Sequence, residues 1–176
     1  MTSTDGVPAV VVAIRPGRES DRLDLAALHA RSRADAYAGL LDDATTGRLG
    51  EDALDHWTRW FAGRASRDHL ILVAEASSGL VGFGLVEGDE RRALLRALHV
   101  HPDWHGRGVG SRLHDGLVRW CGMRTVHLHV LVENTAAREF YRRRGWADTG
   151  ERLTHRIGGQ ELRAARYHLA DRGAMS

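Results

Sequence analysis

Two stretches of this chain carry residues whose types and spacing could do chemistry. The first is His105-Gly106-Arg107-Gly108-Val109-Gly110-Ser111, with glycines at alternate positions just ahead of a helical pattern. Glycines there let backbone amides close on a phosphate, and a helix start adds partial positive charge. A pyrophosphate cradle is therefore one reading, and a tight strand-to-helix turn needing left-handed residues is the other. Other phosphate binders fit less well. A dinucleotide-binding fingerprint needs a third glycine where Ser111 stands, and a P-loop needs a lysine, whereas all 25 basic residues here are arginine. The second stretch runs from Asn134 to Tyr141 and is followed by Arg142, Arg143 and Arg144, which form either a local anion site or a solvated helix face. His99 with His101 and His127 with His129 are spaced to share strand faces, so a metal site is conceivable. No third ligand type converges on them, and no metal is expected.

The elements that must position these groups follow from hydrophobic periodicity. A strand is expected over Val10–Arg15, a helix over Glu19–Tyr37, a mixed loop over Ala38–Gly50 and a second helix over Glu51–Ala62. Strands follow at His69–Ala76, Leu80–Glu87 and about Arg92–His101, with turn residues between them. A helix is predicted from about Gly108 to Trp120, a strand over Thr125–Val132, and a short helix capped by Asn134 that stops at Gly145. Thr149–Ile157 and Glu161–Leu169 make a last hairpin around Gly158-Gly159. This order predicts an α+β, or mixed α/β, fold and not a doubly wound one.

With 176 residues the chain suits one domain, and its net charge of +2 gives no global support for binding a polyanion. No nucleic-acid partner is expected. No apolar run approaches the length that spans a bilayer, so no membrane partner is expected either. Val7–Ile14 lacks the flanks of a signal peptide and reads as strand. The single cysteine, Cys121, forms no internal disulfide and points to a reducing, cytoplasmic setting.

Leu98-His99-Val100-His101-Pro102 followed by His105–Gly110 resembles the signature of the GNAT superfamily of N-acetyltransferases, Q/R-x-x-G-x-G after a strand ending in an apolar-x-V-x-P stretch. Asn134–Tyr141, closing with Gly145-Trp146, is similar to a second motif of that family at the expected distance. His105 departs from the family's usual glutamine or arginine. The resemblance implies a single N-acetyltransferase domain over 1–176, with its core at about 9–170. Its mostly antiparallel central sheet would be flanked by helices, with parallel fourth and fifth strands that splay apart. It implies acetyl-CoA as co-substrate, direct attack by a small-molecule or peptide primary amine in a ternary complex, and a possible homodimer. A non-catalytic acyl-CoA-binding regulator of the same fold is the rival reading.

By the same resemblance, Leu98, His99 and Val100 line the pantetheine arm, with a backbone amide near Val100 polarising the thioester. His105, Gly106, Arg107, Gly108, Val109, Gly110 and Ser111 hold the pyrophosphate. Asn134, Ala137, Phe140, Tyr141 and Arg144 complete the cofactor wall, and Tyr141 protonates the departing thiolate. Tyr37, Trp57 and Trp60 shape the acceptor pocket. Many family members carry a glutamate early in the fourth strand as general base; the matching residue here is Leu94, which cannot serve. Glu87, across the hairpin, and His99 are the replacement candidates, alongside a water chain with no single base. A bulge in the strand would decide which face His99 takes.

Overall fold

The computed structural model describes residues 11–63 and 68–170. The expected strand residues before position 11 lie outside them. Seven strands form one sheet: β1 (Ala13–Pro16), β2 (Asp68–Ala76), β3 (Gly79–Gly88), β4 (Arg92–Val100), β5 (Thr125–Leu131), β6 (Trp146–Ile157) and β7 (Gln160–Leu169). Their spatial order is β1-β2-β3-β4-β5-β7-β6, and every neighbouring pair is antiparallel except β4 with β5. Helix α3 (Val109–Cys121) covers one face, with Val109, Leu113, Leu117 and Cys121 one turn apart and buried against β2, β3 and β4. Helices α1 (Arg22–Ala36) and α2 (Asp43–Ala62) cover the other face through Leu25, Leu28, Ala53, Trp57 and Phe61. Each large apolar side chain so buried contributes on the order of 1.5–3 kcal/mol. Helix α4 (Thr135–Arg142) leads into β6.

Helix α2 begins at Asp43, not Glu51, so the expected loop over 38–50 is half helix. Asp42 is its N-cap, accepting from the Thr45 amide at 2.7 Å. Thr45, Leu49, Ala53, Trp57 and Phe61 then form one continuous buried stripe at four-residue steps. The threonines and Gly47 of the first turns are weak helix formers, and the cap and packing outweigh that propensity. Strand β6 likewise starts early, at Trp146, because a break in its register between Asp148 and Arg152 carries the pairing past the turn-like Gly150.

Two irregularities in β4 open the centre of the sheet. Pairing with β5 runs only from Arg92 opposite Thr125 to Leu95 opposite Leu128. At the next residue the register with β3 shifts: Val86 faces Leu95 and Leu85 faces Ala97, leaving Arg96 as the extra residue of a bulge. Ala93, Leu95, Leu98 and Val100 therefore pack on the α3 side, while Ala97 turns to the α1–α2 side. His99 goes the same way, stacked on Phe83 with ring centroids 5.2 Å apart.

Candidate active site

The gap between β4 and β5 is part of a cavity of about 790 Å3 that passes from one side of the sheet to the other. On the α3 side its wall is the turn at Gly106 and Gly108 to Ser111, then Asn134, Ala137, Phe140, Tyr141 and Arg144 of α4 and its flanks. Leu98, His99, Val100 and His105 line the passage. On the far side lie Ser32, Asp35 and Tyr37 at the end of α1, with Arg96, His129 and His155.

The turn is held open by its backbone. Gly106 and Gly108 adopt φ of +74° and +76°, values side chains disfavour, and Gly108 is a left-handed N-cap that offers no side chain to the first amides of α3. The His101 amide donates to the Val81 carbonyl at 2.9 Å, so by strand alternation the amides of Leu98 and Val100 face the gap. The His105 imidazole donates through Nε2 to the Val100 carbonyl at 3.0 Å, which ties the turn to the strand end. His105 thus has a structural task that its departure from the family pattern did not reveal. Arg144 braces the opposite side: it donates to Ser111 Oγ and to the Phe140 carbonyl, and its guanidinium lies 3.7 Å over the Phe140 ring. Asn134 Oδ1 accepts from the Ala137 amide at 3.0 Å and caps α4. Arg107 is not brought to the cavity; it lies over Trp104 at 5.1 Å.

Tyr141 is nearly buried, packed edge-on against Phe140 and Trp146. Burial pushes its phenol well above the usual range, and the nearby Tyr37 adds to this while Arg144 opposes it. The hydroxyl therefore stays protonated at neutral pH and is available as a donor.

Four expectations need correction or refinement. Trp57 is completely buried between α1, α2 and β3, and Trp60 packs beside it against His56 and His69; neither reaches the cavity. The family resemblance implied an acceptor role for both, with a place in the core as the alternative; the helical stripe turns Trp57 into the core, and Trp60 packs partly buried beside it. Glu87 opens into a separate cavity of about 590 Å3, because the register sets it opposite Leu94, below the point where β4 and β5 part. Its carboxylate accepts from Arg96 at 2.8 Å, and that guanidinium lines the main cavity. His99 does face the cavity, yet burial and then the Arg33 charge bring its pKa down to about 3. An imidazole at that value does not store a proton at neutral pH, although it can pass one on.

Ser32, Asp35, Arg96, His129 and His155 were not anticipated as cavity residues. His129 belongs to one of the spaced histidine pairs, and it lines both cavities. The others come together only through the fold and carry no local signal. His101 parts from His99: its Nδ1 accepts from the Asp103 amide at 3.2 Å and caps the short 3-10 turn Pro102–Trp104.

A sheet opened between two parallel strands, with a glycine turn at the following helix start, defines the acetyltransferase class that the comparisons bear out. Residues 34–146 match the family described as Acetyltransferase (GNAT) family, and the chain belongs to it. It is 35% identical over 104 residues to an uncharacterized N-acetyltransferase of Methanocaldococcus jannaschii, which covers 52% of this chain and 46% of that protein. The chain thus spans about half the length of that relative. It is 26% identical to the L-amino acid N-acyltransferase MnaT of Escherichia coli, covering 80% of this chain and 82% of the other. Among solved structures, a GCN5-related N-acetyltransferase from Rhodopseudomonas palustris matches with a TM-score of 0.71 and 26% identity, over 93% of this chain and 98% of that one. The fold of a PaiA N-acetyltransferase from Thermoplasma acidophilum, solved with coenzyme A, matches with a TM-score of 0.67 at 21% identity, covering 88% and 98%.

Proposed function

We propose that this protein transfers an acetyl group from acetyl-CoA to a primary amine by direct attack, with both substrates bound together. The observation that carries this reading is the single cavity through the sheet, which sets a glycine-rich helix start, two gap-facing strand amides and a buried phenol along one path. The residues present fit the donor. The amides at Gly108–Ser111 and the charge of Arg144 would hold its pyrophosphate, and the edge of β4 at Leu98–Val100 would hold its arm. When bound, acetyl-CoA supplies an activated acyl carbon on a thiol leaving group.

The protein's own contribution is positioning, polarisation and proton movement. The Val100 amide points into the gap and polarises the carbonyl placed there. As the carbon–nitrogen bond forms and the carbon–sulfur bond breaks, Tyr141 gives its proton to the sulfur, and the proton released by the newly bonded nitrogen restores the phenol. Burial disfavours the phenolate and a free thiolate alike, so the proton moves only as charge develops on the departing sulfur. The amine enters from the side lined by Ser32, Asp35, Tyr37, Arg96, His129 and His155; small-molecule and peptide amines are its class. Cys121 is buried on α3, and its thiol donates to the Leu117 carbonyl, so it takes no part in the chemistry; a reducing cytoplasm suits it.

Initial rates measured with both substrates varied test this reading. Intersecting lines, with no acetyl-enzyme detectable by mass spectrometry after incubation with acetyl-CoA alone, are expected. Parallel lines together with a stable acetyl-enzyme would overturn direct attack.

A further inference from the structure

A buried row of imidazoles leads away from the cavity, and the chemistry above assigns it no task. His99 lines the cavity. Its ring centroid is 4.9 Å from that of His29 on α1, and His29 is 5.8 Å from His56 on α2. His29 is only 2% exposed, and neither of its ring nitrogens has a hydrogen-bond partner among the described residues. An apolar side chain would fill that position, between Trp57 and Phe83, without leaving a buried donor and acceptor unmet at a cost on the order of 1–3 kcal/mol. His56 is partly exposed and lines neither cavity, so its open edge meets bulk solvent.

We propose that His99, His29 and His56 form a proton relay that carries the acceptor ammonium's proton from the cavity, through the α1–α2 layer, to solvent. The proposal rests on the acetyl-transfer reading. Each imidazole takes a proton on one nitrogen and releases one from the other. The acceptor nitrogen thereby loses one proton, becomes nucleophilic, and solvent gains that proton; each ring ends neutral with its tautomer switched and returns by rotation or back-exchange. No hydrogen bond joins the rings as they stand; at these centroid spacings rotation of the His29 ring about its side-chain bonds would bring its nitrogens toward those of its neighbours. The groups acting electrostatically on the row are Arg33 on His99; His99, Arg33 and His56 on His29; and Arg33, Arg96 and Arg59 on His56. With burial as the larger cause, they hold all three rings neutral, with His56 at about 4. A proton therefore does not rest on the row but moves through it. His99 is the member that meets the substrate, while His29 and His56 act through it.

The test uses His29→Phe, which keeps an aromatic ring and removes both nitrogens, and His56→Phe, whose partly exposed site tolerates substitution. kcat, KM and the solvent isotope effect are measured with an alkyl amine that the enzyme acetylates and with its fluorinated analogue, which is neutral at the assay pH. With the alkyl amine, His29→Phe should lower kcat about tenfold or more and change the isotope effect, and His56→Phe should lower it about threefold or more. With the neutral analogue both variants should stay within about twofold of wild type, and the Kd for acetyl-CoA should not move. Wild-type kcat in both variants, or equal losses with both amines, would overturn the relay alone. A wild-type protein that acetylates no amine would instead overturn the acetyl-transfer reading and, with it, the relay's cargo.

Discussion

Tyr141 is both a core residue and a wall of the cavity, so its ring and its hydroxyl can be separated by mutation. Tyr141→Phe keeps the contacts with Phe140 and Trp146 and removes only the proton donor. It should lower kcat on the order of ten- to a thousandfold, with the acetyl-CoA Kd nearly unchanged by calorimetry. An unchanged kcat, with chemistry rate-limiting, would contradict the acid role. Gly110 gives a graded test of the cradle, because a Cβ built there meets Phe140 and Val100 at ordinary contact, 3.5 Å. Gly110→Ala should bind acetyl-CoA almost as well as wild type, whereas Gly110→Leu, which projects into the cradle, should raise Kd at least about tenfold, or 1.4 kcal/mol. A folded leucine variant with wild-type affinity would remove the cradle. At this scale the sequence was informative where chemistry is local: the glycine turn and the Asn134–Tyr141 stretch line one cavity, in keeping with what the family resemblance implied. It was not informative for Trp57, Trp60 and Glu87, whose facing depends on a helical stripe and a strand register that no short window contains.

Among the elements, a contact between distant parts of the chain lies beside the proposed acceptor side. Gln160, at the start of β7, accepts from the Asp42 amide at 3.0 Å and donates to the Leu40 carbonyl at 2.7 Å. It thereby fastens the β6–β7 turn to the segment that follows Tyr37. Gln160→Ala should loosen that segment, raising the acceptor KM several-fold while leaving the acetyl-CoA Kd alone. The two lost bonds should also lower stability by about 1–2 kcal/mol in urea titration. Equal changes in both substrates' binding would argue that the contact serves the whole fold and not the acceptor side. The order of elements along the chain and most of their bounds could be read from periodicity and turn residues, whereas the parallel pairing of β4 with β5 was implied by the family resemblance. The early start of α2 could not, because its first turns are poor helix formers stabilised by the Asp42 cap and by Leu49 packing with Leu131, Ile157 and Ala164 from the other end of the chain. The β4 bulge was foreseen only as a possibility. Its place at Arg96, one residue beyond the last β4–β5 pair, is set by tertiary packing.

For the whole molecule, the neutral histidines link stability to pH. His29, His56 and His99 have their proton affinity depressed in the fold, chiefly by burial, to about 4 for His56 and about 3 for His99. The unfolded chain, with ordinary histidines near 6.5, binds protons first as pH falls. Their contribution is therefore complete above about 6.5 and is lost progressively toward the folded values, at up to about 1.4 kcal/mol per pH unit for each histidine. Denaturation midpoints should fall between about pH 7 and about pH 5, where paired carboxylates such as Asp21 remain ionised, and His29→Phe should flatten that slope. A midpoint independent of pH over that window would contradict the burial of neutral rings. The central claim, that the cavity through the sheet transfers acetyl groups, is tested most directly by following thiol release from acetyl-CoA across a panel of primary amines, with the acetylated product identified by mass spectrometry. The account predicts amine-dependent thiol release matched one-for-one by product in the wild type and strongly reduced in Tyr141→Phe; acetyl-CoA binding with no product from any amine would contradict it and identify a module that binds the acyl donor without using it.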